Sequence, residues 1–437
     1  MQLLTAATSE QQQRKVAGTL AAHGLQAGDR VVFDVKGSAE LVSAVLGALR
    51  AGIVPVIPDP HLSAAEHSEL IEDAEPAWVV NETDLADLFH GRAVDLAPAP
   101  MARPMHYTSG TTGRRKGVWS GVLDKPSAVA LLDEERELWG FGLGDTHLVI
   151  SPLHHSAPLR FAAGTLMAGG QIAVLPSFTA LEALKALEML RPTTLFCAPA
   201  HLQRIFAAVD AGAALPDLSR VRLLAHAGAP CPPALKARTV ESFPRGSVWE
   251  FYGSTEGQFT ACSPQDWRDK PDSVGRARPG RELSVDPDGK IWCRVPGYAR
   301  FSYWRDVDKT VAAWRGDAFT VGDLGRIDGE GFLYLDGRRE DLIITGGVNV
   351  YPAEVELALG ECPGVSDVAV FGRPDKQWGQ RVCAMYVGTA NALEVRTWAS
   401  GRLSAARRPK EYHSVAAIPR TSAGKVRRHL LAADPPA

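Results

Sequence analysis

No two of the six cysteines stand close enough to form a CxxC pair. Cys197, Cys231, Cys262, Cys293, Cys362 and Cys383 are scattered, which argues against both a zinc knuckle and a disulfide framework. Reduced thiols in a cytoplasmic protein are the expectation. Charge of one sign is also missing: 47 basic residues face 50 acidic ones, for a net charge of −3. Such a chain has no general attraction for nucleic acid or an anionic membrane, and neither partner is expected. Arg407–Arg408 and Arg427–Arg428 are only local basic pairs. No run reaches the ~18 apolar residues of a membrane span. The opening MQLLTAATSEQQQRK carries no apolar core of signal-peptide length. Internal repeats and low-complexity blocks are absent.

What remains is an ordinary globular composition, 45% hydrophobic and 22% charged over 437 residues, long enough for roughly two to four domains. From residue 31 to 260, short apolar runs alternate with segments of helical period. Val31–Val35, Ile53–Ile57, Trp78–Val80, Leu148–Ser151, Ile172–Leu175, Thr194–Cys197, Val221–Ala225 and Val248–Phe251 read as buried strands. Ala39–Ala51, Ala64–Asp73, Ala180–Leu190, Ala200–Ala208 and Pro233–Glu241 read as helices. The alternation predicts an α/β fold of mainly parallel sheets covered by helices. Ligands bind such sheets at the carboxyl ends of strands, where Tyr252–Glu256 follows the last strand. After Pro264, Ile291–Val295, Phe319–Val321 and Phe332–Leu335, with turns between them, predict a small antiparallel, barrel-like unit. Beyond Arg338 a compact α+β segment is predicted: a helix opened by Pro352, strands Val368–Phe371 and Arg381–Val387, a helix near Leu393–Leu403, and strand Val415–Ile418.

The segment most suggestive of chemistry is Tyr107-Thr-Ser-Gly-Thr-Thr-Gly-Arg-Arg-Lys-Gly117. Its glycines permit positive φ and a close backbone approach to a ligand. Thr108, Ser109, Thr111 and Thr112 supply hydroxyl donors, and successive backbone N–H groups can form an anion nest. Lys116 adds a mobile positive charge. The spacing is not that of a P-loop, because Lys116 is followed by Gly117 rather than Ser or Thr. On its residues alone the segment reads as a phosphate binder or as a flexible surface loop.

YTSGTTGxxKG resembles the signature of the acyl-adenylate-forming superfamily, which includes acyl-CoA synthetases, peptide synthetase adenylation domains and luciferases. Further segments follow in the family's order from about Gly24 to Leu431. Pro152-Leu-His-His155 is similar to the family's PLxH segment, whose histidine, His155 here, lines the acyl pocket. Ala227-Gly228-Ala229-Pro230 is similar to its adenine-binding turn. In Phe251-Tyr-Gly-Ser-Thr-Glu256 the resemblance implies adenine stacking by Tyr252, nucleotide contacts at Gly253 and Ser254, an α-phosphate donor at Thr255 and a Mg²⁺ ligand at Glu256. Thr320–Gly325 and Gly337–Gly347 imply a ribose pair, Asp323 and Arg338, a hinge at Glu340 and an acceptor tunnel at Gly346 and Gly347. Pro419–Lys425 resembles the family's final motif, whose lysine, Lys425 here, serves the acid carboxylate and the α-phosphate. The phosphate loop is then carried by Thr108, Ser109, Gly110, Thr111, Thr112, Gly113 and Lys116. Three alignments depart from the pattern: Arg114 and Arg115 stand where the family often has proline, Val321 interrupts Thr320–Gly322, and Glu340 stands where Asp or Lys is usual. The family comparison also implies a short N-terminal part, lacking a leading strand or two, and a brief stretch over 81–105.

The resemblance divides the chain at 338/339, into an adenylation domain (1–338) and a small mobile C-terminal lid (339–437). It implies ATP and Mg²⁺ as cofactors, CoA as co-substrate, and a monomer or homodimer. The reaction it implies is activation of a small organic acid, aromatic included, to an acyl-adenylate, followed by transfer to the CoA thiol. The acyl pocket would be lined by His155, Ala227, Gly257 and Gln258, with Gln258 free to meet a substrate hydroxyl or amine. A carrier domain after Ala437 is not expected. The alternatives keep the adenylation chemistry and change the acceptor to an amine, a carrier protein, or nitrite with an aryl amine. A non-catalytic nucleotide-binding relative is a further alternative, and the presence of Lys425, Glu256 and Asp323 argues against it.

Overall fold

The computed structural model describes residues 3–108, 115–338, 341–346, 348–420 and 426–432. The chain resolves into two compact units, Met1–Glu282 with Cys293–Phe319, and Leu283–Trp292 with Thr320–Ala437.

In the first unit a six-stranded sheet runs in the order Leu3–Thr5, Gln171–Val174, Thr146–Val149, Thr194–Cys197, Leu223–His226, Val248–Glu250. All neighbours are parallel except the edge strand Leu3–Thr5. Every residue of Thr146–Val149, Thr194–Cys197 and Leu223–His226 is buried. That is the pattern of a sheet covered on both faces, and it explains why these strands read as continuous apolar runs. The covering helices include Ser156–Met167, Ala180–Leu190, Pro199–Asp210 and Pro233–Ser242. A second, three-stranded parallel sheet is built from Val54–Val56, Arg30–Phe33 and Trp78–Val80. Helix Ala39–Arg50 has Ser38 as its N-cap, accepting from the Leu41 N–H, a contact worth about 1 kcal/mol. From Leu41 to Arg50 every residue is buried, so the helix belongs to the core, with its two polar side chains, Ser43 and Arg50, hydrogen-bonded there.

A third sheet positions the candidate site. His106–Thr108 and Lys116–Trp119 form an antiparallel hairpin, with Tyr107 opposite Gly117 and Thr108 opposite Lys116. Ser302–Tyr303 adds a third strand, pairing Tyr303 with Val118.

The second unit carries the antiparallel pair Asp323–Ile327 and Leu333–Arg338. It also carries a five-stranded sheet of Val348–Val350, Ile343–Thr345, Gly379–Gly388, Val365–Asp375 and Glu411–Ser414. Helices Pro352–Gly360 and Ala392–Arg402 share its core, where Val350, Val355, Leu359, Val382, Ala384 and Val395 are buried. This unit includes 320–338, which the motif boundary at 338/339 assigns to the N-terminal part.

The α/β architecture and most of its elements agree with the sequence reading; Thr194–Cys197 and Ala180–Leu190 agree to the residue. One strand is misplaced. The expected strand Val415–Ile418 is instead Glu411–Ser414, parallel to Cys383–Tyr386. The ladder runs through Glu-Tyr-His-Ser, which no apolar count singles out, while Ile418 is a core plug beside Phe371 and Leu431. Helices Ala6–Ala22 and Lys125–Trp139 were not foreseen. The buried face of the first is mixed: Val16 and Leu20 enter the core, but its N-terminal half is polar, where Ser9 meets Ser43 at 2.9 Å and Gln13 donates to Ser9 at 2.9 Å. Apolar periodicity does not register such a face.

Candidate active site

The motif Tyr252–Glu256 lies at the carboxyl end of strand Val248–Glu250 and folds into a tight turn. Gly253 bridges Gln258, and the Ser254 N–H donates to the Gly257 carbonyl at 2.8 Å. Thr255 and Glu256 therefore occupy the tip. The Tyr252 ring rests on Phe259, centroids 4.8 Å apart. The Ser254 hydroxyl is buried without a hydrogen-bond partner among the described residues. A buried orphan hydroxyl is rare in a native protein and fits a ligand-facing role.

Glu256 is only 6% exposed. Its Oε1 accepts from the Tyr303 hydroxyl at 2.9 Å, and its second oxygen accepts no hydrogen bond among the described residues. Those residues contain no group of three His, Cys, Asp or Glu side chains able to hold a metal by themselves. One oriented carboxylate fits Mg²⁺, which is commonly held by one or two protein carboxylates together with nucleotide phosphates and water.

The hairpin anchors the start and end of the phosphate segment. Tyr107 donates its hydroxyl to Asp73 at 2.8 Å, and burial with that contact pushes its phenol above the ordinary range. Lys116 Nζ lies 2.7 Å from Asp306 Oδ2. Arg115 donates to Glu66 at 3.1 Å. Donation from the Ser63 backbone, reinforced by Arg115, holds the Glu66 carboxyl down at about 2. Ser109, Gly110, Thr111, Thr112 and Gly113 lie outside the described residues, as do Glu340, Gly347 and Lys425; for Thr108 and Arg338 the backbone alone is described.

Ala227–Pro230 follows strand Leu223–His226. Gly228 has φ +94° with no atom where a Cβ would stand, so the positive angle alone favours glycine there. Just before it, His226 is fully buried, and neither ring nitrogen has a hydrogen-bond partner among the described residues. Burial, with Lys236 nearby, drives its pKa well below the usual value and keeps the ring neutral.

His155 immediately precedes helix Ser156–Met167, its ring 4.1 Å from that of His154. Both are partly buried, and His154 Nε2 lies 3.7 Å from Asp59. Ala227 belongs to a buried cluster with Trp139, Phe161, Phe196 and Phe251. Gly257 packs against Phe319, whose ring would lie 2.8 Å from a Cβ at that position. Gln258 was expected to face substrate, but its amide is engaged within the protein. Its Oε1 accepts from Arg278 at 2.6 Å and its Nε2 donates to Glu135 at 3.5 Å.

In the second unit, register places Asp323 directly opposite Arg338. Gly346 has φ +57°, and a Cβ there would meet the Trp378 ring at 2.9 Å, so local packing by itself demands glycine. The pair flanking 421–425, Arg420 and Val426, forms an antiparallel bridge.

Sequence reasoning missed Tyr303, Asp306 and Glu135. Tyr303 and Glu256 are 47 positions apart, and Arg278 and Glu135 are 143 apart. No local signal in a single sequence reports such contacts.

Comparison with known proteins agrees with this geometry. The AMP-binding enzyme family matches residues 2–104 and 101–300, and the AMP-binding enzyme C-terminal domain matches 354–425. The indoleacetate–CoA ligase of Aromatoleum aromaticum is 30% identical, over 95% of this chain and 90% of its own length. The o-succinylbenzoate–CoA synthetase of Bacillus subtilis, solved with its acyl-adenylate intermediate, superposes with a TM-score of 0.85 at 25% identity, covering 98% of this chain and 93% of that one. An amide bond synthetase of Marinactinospora thermotolerans gives 0.82 at 27%, covering 98% and 94%. The order of the motifs, the hairpin and turn that carry them, and these matches agree: the chain belongs to the AMP-binding enzyme family, the acyl-adenylate-forming group that its motifs resemble.

Proposed function

We propose that the chain is an AMP-forming acid–CoA ligase for a small organic acid, with aromatic acids the first candidates. The observation that carries the proposal is the turn at 253–258, which presents Thr255 and the oriented carboxylate of Glu256 at the end of a parallel strand. In the first step an oxygen of the substrate carboxylate attacks the α-phosphorus of ATP. The bond from that phosphorus to the bridging oxygen breaks, and pyrophosphate leaves. No general base is needed, because a carboxylic acid of pKa roughly 4 is already ionised. The obstacle is the approach of one anion to another. Thr255, Lys116 and Lys425 offset that repulsion with preorganised donors and positive charge. Glu256 would hold Mg²⁺, which supplies charge neutralisation at the phosphates; the Bacillus subtilis synthetase has also been solved with ATP and magnesium.

In the second step the sulfur of CoA attacks the acyl carbon. The carbon–oxygen bond to AMP breaks, and the thiol proton passes to solvent. The lid from 339 to 437 turns about Glu340 between the steps, moving Lys425 out and Gly346–Gly347 in. His155, Ala227 and Gly257 line the acyl pocket. The aromatic cluster behind Ala227 supports an acid of limited length with a flat face. A cytoplasmic location agrees with a chain in which no described helix is long and apolar enough to cross a membrane.

The second reading keeps the first step and gives the acyl group to an amine, and the likeness to the amide bond synthetase favours it as the alternative. ATP–pyrophosphate exchange over a panel of aromatic, fatty and amino acids identifies the acid. Product analysis with and without CoA then decides the acceptor. Thioester formed only with CoA supports the ligase; product formed equally well without CoA rejects it.

A further inference from the structure

The strand that closes the phosphate hairpin also reaches the metal-facing carboxylate. Ser302–Tyr303 pairs along Val118–Trp119, and the Trp304 N–H donates to the Gly117 carbonyl at 2.8 Å. From this strand the Tyr303 hydroxyl donates to Glu256 at 2.9 Å. Tyr303 is itself only 5% exposed and packs edge-on to Phe301, centroids 5.5 Å apart. The Lys309 ammonium stands over its ring, 4.2 Å from the centroid. Three residues beyond Tyr303, Asp306 lies 2.7 Å from Lys116, and its other oxygen caps helix Val307–Ala313 by accepting from the Lys309 N–H at 3.0 Å. Five consecutive residues thus hold the hairpin backbone, the hairpin lysine and the carboxylate of the neighbouring turn.

We propose that Tyr303 is a positioning residue for divalent-cation binding: it fixes the rotamer of Glu256 and references that carboxylate to the phosphate hairpin, so that metal and triphosphate are received in register. The proposal rests on the reading of Glu256 as the metal ligand. The physical case is one of geometry. A glutamate at the tip of a turn has three rotatable side-chain bonds. A neutral hydroxyl on Oε1 removes that freedom without adding a competing positive charge, and leaves the second oxygen to the cation. Because Tyr303 is hydrogen-bonded through its own strand to the hairpin, the spacing between the carboxylate and the hairpin strands is set by sheet register rather than by a free side chain. Groups that orient a metal ligand in this way affect affinity strongly although they never touch the ion.

The test is a Mn²⁺ titration followed by electron paramagnetic resonance on the full-length protein with ATP, beside a Mg²⁺ titration of pyrophosphate exchange. Tyr303→Phe is expected to raise the half-saturating Mn²⁺ concentration by about tenfold, with exchange at saturating metal and the KM for the acid within about twofold of wild type. Circular dichroism and urea unfolding check that the variant is folded. Should Tyr303→Phe not fold, Tyr303→His, which keeps a ring donor, carries the same titration and is expected to show a smaller shift. In a Glu256→Gln background Tyr303→Phe should add nothing, since both changes act on one contact. An unchanged Mn²⁺ titration in Tyr303→Phe overturns the proposal, and so does a shift of equal size in the Glu256→Gln background. If Glu256→Gln alone leaves the Mn²⁺ titration unchanged, the assignment of Glu256 as ligand falls, and the role of Tyr303 falls with it.

Discussion

Lys236 and Glu250 form a buried ion pair, Nζ to Oε2 2.7 Å, with the lysine only 1% exposed. The pair fastens helix Pro233–Ser242 to strand Val248–Glu250, between the turn at Ala227–Pro230 and the turn that carries Glu256. A buried pair contributes little compared with a well-packed apolar pair, but removing one partner leaves an uncompensated charge. Lys236→Ala is therefore expected to destabilise the first unit by about 3–5 kcal/mol. Urea unfolding measures it. A loss under about 1 kcal/mol would mean that water reaches Glu250 and screens it.

Three buried histidines make stability depend on acidity. Burial lowers His147 to about 3 and His106 to about 4, and drives His226 well below its usual value. Each pKa is depressed on folding, so below pH about 6.5 the unfolded chain binds protons that the folded chain refuses. Their stabilising contribution is complete above that pH and is lost as pH falls toward the folded values. Each histidine adds up to about 1.4 kcal/mol per pH unit to the slope. His147→Gln, which keeps a group able to reach Thr194, should flatten the slope of unfolding free energy between pH 6 and 5 by about that amount. The same slope in wild type and variant would show that His147 titrates normally in the folded protein.

Lys425→Ala is expected to cut ATP–pyrophosphate exchange by about a hundredfold or more, the scale of losing a preorganised charge at the reacting phosphate. Consumption of a preformed acyl-adenylate by CoA should continue. Rapid-quench assays of each half-reaction separate the two. Equal loss in both would contradict a lysine that serves only the first step.

Arg428 ties three parts of the second unit together. It donates to the Val370 carbonyl at 3.1 Å, to Asp341 at 3.1 Å and to Glu356 at 2.5 Å. Asp341 directly follows the proposed hinge position, and Glu356 also accepts from the Val370 N–H at 2.8 Å. Arg428→Gln removes the charge-assisted contacts and should destabilise the second unit by about 1–3 kcal/mol. Limited proteolysis of residues 320–437 is expected to quicken in this variant while the first unit stays resistant. Unchanged cleavage would mark the pair as solvent-screened.

Parts of the fold were legible because they are written locally. Thr194–Cys197 is buried on both faces, so every residue must be apolar or satisfied, and the run announces itself. Gly228 stands at a positive φ that other residues rarely adopt. The helix Ala6–Ala22 was hard to read because the first half of its buried face is Ser9 and Gln13, held by hydrogen bonds, and apolar residues enter the core only from Val16 to Leu20.

The sequence alone nominated the proposed chemistry-bearing residues: Thr255 and Glu256 in one short motif, Asp323 and Arg338 in two others, and the hydroxyl-rich segment between Thr108 and Lys116. Residue type and spacing decide whether a segment can receive phosphate, and both are local properties. Only the tertiary structure decided how those residues are held. Tyr303 on Glu256, Asp306 beside Lys116, and Arg278 on the Gln258 amide are contacts between elements that parallel crossovers and a three-stranded sheet bring together. The physical reason is that hydrogen bonds and ion pairs act over about 3 Å, so which side chains meet is fixed by strand register and helix packing, and not by their separation along the chain.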